Sequence, residues 1–204
     1  MARGADFKKK PMGYFLDALA SDSVSPGGGS AAALTGACGA ALVEMTARIN
    51  ADREKRKAGV SSLAARTRIA AIKTRRARLE KLVTLDAVTF TRSASFFKRD
   101  KNTAPYQRAL KDCVRAPFEI CELSLQVADL ALAEMSRTSR WLASDLAEGA
   151  RLLAAAFDAG RLNVSVNMKQ MSDLKFSTTL NARLDRMQSR LNANTNELEK
   201  VLQR

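Results

Sequence analysis

Apolar residues recur three and four positions apart along most of this chain, the spacing of helices that bury one face. Tyr14, Phe15, Leu16 and Leu19 give a short first helix over 12–20. The run Ser-Asp-Ser-Val-Ser-Pro-Gly-Gly-Gly-Ser at 21–30 has the chemistry of a loop. A second helix is predicted over 31–49, and its first half is built almost wholly from small residues. Gly36 and Gly39 inside it each cost about 1 kcal/mol relative to alanine, which points to close approach by another backbone or a ligand. The charged stretch 52–59 ends in glycine and predicts a break. From Ser61 onward Leu63, Ile69, Ile72, Leu79, Leu82 and Val83 share one helical face, while Arg66, Arg68, Lys73, Arg75, Arg76 and Arg78 occupy the other. That helix is extended through Asp86 and Phe90 towards Phe97.

A connector at 100–103, with Thr103 or Asn102 as cap, leads into a helix running to about Met135 and interrupted at Pro117. A polar break at 136–140 precedes a helix over 141–166, and Ser172 or Asp173 starts the last one. In that last helix Leu184, Met187, Leu191, Asn194, Leu198 and Val201 follow heptad spacing. The pattern suits either an intermolecular coiled-coil seam or a helix lying on its own core. No internal repeat or interdomain linker interrupts the series. The expected architecture is all-α: one domain, 1–204, a bundle of five to seven helices.

Composition agrees with that architecture: the chain is 46% hydrophobic, much of it alanine, with 5% aromatics. No stretch offers the ~20 continuous apolar residues of a membrane span. The first ten residues carry charge without an apolar core behind it, unlike a secretion signal, so a cytoplasmic protein is expected, with no membrane partner. Three cysteines without ligand-like spacing indicate neither disulfides nor a metal site; Cys113 and Cys121 share a helix face as small buried hydrophobes. A net charge of +13 favours polyanionic partners, among them nucleic acid and polyglutamylated cofactors. The chain has no histidine, so proton transfer falls to Asp, Glu, Lys, Tyr or Cys.

Five motifs occur in one order: Pro26-Gly27-Gly28-Gly29-Ser30-Ala31-Ala32-Ala33-Leu34, Asp86-Ala87-Val88-Thr89-Phe90, Ala116-Pro117, Ser144-Asp145, and Leu162-Asn163-Val164 with Val166-Asn167. Together they resemble the cyclodeaminase/cyclohydrolase family of folate enzymes over about residues 14–202. The resemblance implies an all-helical homodimer that binds tetrahydrofolate derivatives, with no cofactor beyond the folate substrate itself. It implies closure of formiminotetrahydrofolate to the methenyl form with loss of ammonia, or hydrolysis of methenyltetrahydrofolate to the N10-formyl form. This sequence carries no formiminotransferase domain, which favours the hydrolytic version.

The glycine turn, Pro26 and Gly27 to Gly29 with Ser30, is assigned to substrate binding. The amides of Ser30 and Ala31 would face a pterin amide or the folate carboxylates; alternatively, Ser30 simply caps the helix. Asp86 and Asp145 are the candidate catalytic carboxylates, able to bind an amino-pyrimidine edge or to act as a base once burial raises the pKa. A helix cap or an ion pair is the plainer alternative for each. Asp17, Ser144, Asn163 and Asn167 complete the expected substrate-binding set. The two asparagines sit four apart, on one face if the helix runs through them. At 52–57 the chain carries Asp-Arg-Glu-Lys-Arg-Lys where the family has a glycine–lysine–tyrosine run, and Trp141 replaces part of an asparagine-rich stretch. Trp141 is expected in the core, with pterin stacking as the alternative. The rival functional reading is a non-catalytic basic protein that binds nucleic acid, although no aromatic platforms interleave with its charges.

Overall fold

The computed structural model describes residues 6–200. Six α-helices follow in order: α1 Met12–Leu19, α2 Gly28–Ala58, α3 Leu63–Ser93, α4 Ala104–Glu134, α5 Arg140–Met168 and α6 Leu174–Lys200. Short 3-10 turns lie at Phe7–Lys9, Phe96–Lys98 and Met135–Arg137. Among the described residues there is no strand. The all-α, one-bundle expectation agrees with this architecture.

Two predicted breaks are absent. Helix α2 continues through the charged stretch to Ala58, because Glu, Lys and Arg are good helix formers. It ends only where Gly59 adopts φ +75°, with Lys55, Arg56 and Lys57 in the last turn complementing the helix dipole. Helix α4 likewise runs unbroken across Pro117. The proline ring removes the donor that the Cys113 carbonyl would ordinarily receive, and packing against α5 holds the segment in place. Gly160 makes that packing possible, since a Cβ there would lie 2.9 Å from Cys121 Sγ and 3.0 Å from the Pro117 carbonyl oxygen. Thr103 and Ser139 hold the cap positions of α4 and α5 without a side-chain bond, whereas two other helix starts are capped. Ser62 Oγ accepts from the Ala65 amide at 3.0 Å, and Asp173 Oδ1 accepts from the Phe176 amide at 3.0 Å.

Helix α2 packs on α3 and α5, α4 on α3 and α5, and α6 across α4 and α5. The small residues of α2 serve this packing. A Cβ on Gly39 would stand 2.7 Å from the Gly149 carbonyl oxygen, and one on Gly36 3.2 Å from Ala156 Cβ. Neighbouring positions therefore rise along α2 as they fall along α5, so the two helices are antiparallel at backbone contact. Gly39→Val should destabilise the protein by about 1–3 kcal/mol, because the obstacle is backbone and cannot rotate away. A thermal melt checks this, with an expected fall of roughly 2–4 °C per kcal/mol for a chain of this size.

By length and composition α2 could cross a membrane, but 61% of its most apolar window is buried within the bundle, as befits a core helix. The α6 pattern also resolves inward. Leu184, Leu191 and Leu198 are buried in the core, and Asn194 donates to Asp129 Oδ1 at 2.8 Å. Val201 lies outside the described residues. Trp141 is 90% exposed, contrary to the expected core position.

Three arginines on the basic face of α3 are paired with carboxylates of the fold. Arg68 binds Glu134 at 2.6 Å and Glu54 at 3.1 Å, Arg76 binds Glu44 at 2.7 Å and also Glu80, and Arg78 binds Glu119 at 2.6 Å. Arg75 donates to Gln126 at 2.9 Å. Arg66 and Lys73 of the same face remain exposed.

Candidate active site

A cavity of about 310 Å³ opens between the start of α2, the middle of α3 and α4, and the end of α5. Its floor is set by the glycine turn. The Ser25–Pro26 peptide is cis, Ser25 Oγ donates to the Ala87 carbonyl at 3.1 Å, and Pro26 is buried behind the loop. Helix α2 begins at Gly28, with Gly27 in the cap position, so Ser30 is not the cap. The Ala31 amide donates to the Gly27 carbonyl at 3.1 Å, and the Ser30 amide is directed to Asp86. The expected ligand-facing amides are therefore both committed. Gly28 and Gly29 instead supply the first-turn donors that lack a helical acceptor.

Asp86 of α3 sits against this helix start. Ser30 Oγ donates to its Oδ2 at 3.3 Å. A Cβ on Gly29 would lie within 2.6 Å of both carboxylate oxygens, so only glycine admits Asp86 there. Burial pushes the Asp86 carboxyl above its ordinary value, partly opposed by the bonds from the Ser30 hydroxyl and amide. The anion at the α2 N-terminus is thus the protein's own, and a ligand carboxylate at the same point would meet it. This corrects the expectation that folate carboxylates dock on the turn.

From the other side α5 contributes Asn163 and Asn167. The helix runs through both, and each Nδ2 donates to the carbonyl four residues earlier, at 2.8 and 2.9 Å. The Asn163 side chain lies beside Gly28, where a Cβ would be 3.5 Å from Nδ2. Each amide retains an oxygen and a second N–H for a bound molecule. Thr89, Phe90, Cys113, Ala116, Pro117 and Val166 complete most of the wall. Burial also pushes the Cys113 thiol up, opposed by a bond with Ser93, which keeps it protonated. Cys113 went unrecognised as a wall residue, although its spacing of three and four from Ala116 and Pro117 is the signal that could have found it.

The structure therefore brings together Gly27, Gly28, Gly29, Asp86, Asn163 and Asn167, with Pro26 and Ser30 supporting them from behind. It does not bring the others to this cavity. Asp17 is exposed on α1. Ser144 is exposed near the start of α5, and Asp145 stands about 27 Å along that helix from Asn163, at about 1.5 Å per residue. Asp86 and Asp145 are therefore not opposed across one cleft within the chain: α5 carries Asp145 at its start and the cavity-lining Asn163 near its end. Among the described residues, no three carboxylate or thiol groups converge as metal ligands.

A family described as formiminotransferase-cyclodeaminase matches residues 11–186. A methenyltetrahydrofolate cyclohydrolase from Methylorubrum extorquens is 30% identical over 171 residues, covering 80% of this chain and 81% of the relative. The formimidoyltransferase-cyclodeaminase of Gallus gallus is 29% identical over 189 residues, which cover 87% of this chain but only 34% of that longer protein. The crystal structure of a formiminotetrahydrofolate cyclodeaminase from Thermotoga maritima superposes with a TM-score of 0.86 at 22% identity, over 97% of this chain and 98% of that one, and shows the shared fold. With five motifs in order, four of them lining one cavity, and a family match along most of its length, the chain belongs to the formiminotransferase-cyclodeaminase family.

Proposed function

We propose that this member of a folate one-carbon family hydrolyses the methenyl bridge of methenyltetrahydrofolate, with Asp86 as the acid–base group. The observation that carries the reading is a carboxyl raised by desolvation on the wall of a largely apolar cavity, fixed by Ser30 and flanked by the Asn163 and Asn167 amides. The bridge carbon is an electrophilic amidinium centre. Water adds to it while Asp86 takes the water's proton. The tetrahedral adduct then collapses: the bond to N5 breaks as Asp86 returns the proton to N5, and the adduct's hydroxyl proton passes to solvent water, leaving the formyl group on N10. A raised carboxyl pKa suits this two-way traffic better than an ordinary one, because it brings the residue closer to working pH. The Gly28 and Gly29 amides and the asparagines would hold the polar edges of the ring system.

Identity with the Methylorubrum cyclohydrolase along most of both chains favours hydrolysis over deamination. The names of the vertebrate relatives favour the second reading, ring closure of the formimino form with release of ammonia. One pair of assays decides. Hydrolysis removes the near-ultraviolet absorbance of methenyltetrahydrofolate, whereas deamination creates it from formiminotetrahydrofolate. We expect the purified protein to accelerate the first well above the buffer rate. Acceleration of the second alone would transfer the assignment, and acceleration of neither would end it.

A further inference from the structure

We infer that the outer face of α3, with the groove between it and α4, is a docking surface for a nucleic-acid duplex held through its phosphate backbone; this stands apart from the folate reading above. Arg66, Ala70, Lys73, Ala77 and Lys81 follow one another at spacings of three and four, so they form one crest over about 22 Å of the helix. Beside the crest lies a groove of about 620 Å³, lined from α3 by Lys73, Arg75, Arg78 and Lys81 and from α4 by Leu123 and Gln126. No residue that lines it is acidic.

Most of these charges have no counter-charge within the fold. Among the described residues Arg66, Lys73 and Lys81 have no hydrogen bond or ion pair. Arg75 donates to Gln126 Oε1 and to the Ala71 carbonyl, both at 2.9 Å and both uncharged. Only Arg78 is neutralised, by Glu119 at 2.6 Å, and Glu122 on the same side of α4 is bound by Arg183 at 2.7 Å. Four cations therefore stand along one side of the bundle without a carboxylate. Shape selects their partner. Between them lie the short side chains of Thr67, Ala70, Thr74 and Ala77, and both threonine hydroxyls turn back onto the helix, to the Leu63 and Ala70 carbonyls. A low, straight crest admits a rigid rod, and a duplex offers about one negative charge per 1.7 Å of its axis along such a line. Single strands are held by stacking their bases on aromatic side chains, and no aromatic residue lines the groove or interrupts the crest.

Fluorescence anisotropy with a labelled DNA duplex of about 20 base pairs, roughly three times the length of the crest, tests this. Binding should be micromolar at about 50 mM salt and weaken roughly 100-fold by about 200 mM, the slope of four phosphate contacts. K73Q/K81Q keeps good helix formers on α3, and should weaken binding roughly 10–100-fold at low salt and remove about half of the salt slope. K98Q/K101Q removes the same charge from exposed positions beyond the end of α3, and should leave affinity within about twofold of wild type. Equal weakening by the two variants would overturn the docking surface in favour of general charge. Tighter binding of the single strand of the same length would overturn the duplex as partner, and tighter binding of poly-L-aspartate at equal charge would transfer the face to an acidic protein. No binding of the duplex by the wild type at low salt would end the inference and leave the proposed reaction standing.

Discussion

Asp86→Asn should lower turnover by about 10²–10⁴-fold, the ordinary contribution of a positioned acid–base group, without unfolding the protein. Asparagine keeps the size of the side chain and can still accept from Ser30, so the seat against Gly29 is preserved. It loses only the capacity to take and return a proton. The pH dependence sharpens the claim. Burial raises the native pKa of Asp86, so wild-type activity should fall on the acid side through a value above the usual carboxylate range, and the residual rate of the variant should lack that limb. Stability should move the other way. A raised native pKa means that the charged form opposes folding above that pKa, and that the opposition disappears as pH falls below the unfolded value. The asparagine variant should therefore melt at or above the wild-type temperature at neutral pH, with the gap closing in acid. Near-wild-type turnover in a folded variant would remove Asp86 from the chemistry.

Most of this site was legible because its residues cluster in short motifs whose helical spacing is readable. Asp86 with Thr89 and Phe90, Ala116 with Pro117, and Asn163 with Val166 and Asn167 each fall on one face of one helix. What sequence could not supply was the relation between distant motifs. Asp145 and Asn163 look equivalent as family signatures, yet a continuous α5 separates them by about five turns. Pro117 and the charged end of α2 mark breaks by local rules, and in each case tertiary packing or good helix formers override the rule. Gly36 and Gly39 worked in the opposite sense. Their unfavourable propensity announced a close approach, and the approach is that of α5. Trp141 shows the limit of size as a guide, since the largest side chain in the sequence is almost wholly exposed.

Glu134→Ala should be as damaging to stability as Asp86→Asn is to turnover, with a loss of about 3–5 kcal/mol, the cost of breaking a buried ion pair from one side. Glu134 ends α4 at 0% exposure, accepting from Arg68 Nε at 2.6 Å and from Asn50 Nδ2 at 3.1 Å. Desolvation works against the charge of Arg68, and its bonds to Glu134 and Glu54 outweigh that, holding its pKa up. Alanine would leave the guanidinium with Glu54 alone, the Asn50 amide short of a partner, and the Asn50 oxygen still without one. At roughly 2–4 °C per kcal/mol the melting temperature should fall by about 6–20 °C. Adding Arg68→Met should recover part of the loss, because an apolar pair avoids the stranded charge. This cluster lies about 33 Å along α2 from Gly28, so turnover per folded molecule should stay near the wild-type rate. A melt within 2 °C of wild type would mean that water reaches Arg68 well enough to replace its partner. Opposite phenotypes from two acidic residues on one bundle would separate the carboxylate that holds the helices together from the one that faces the reacting carbon.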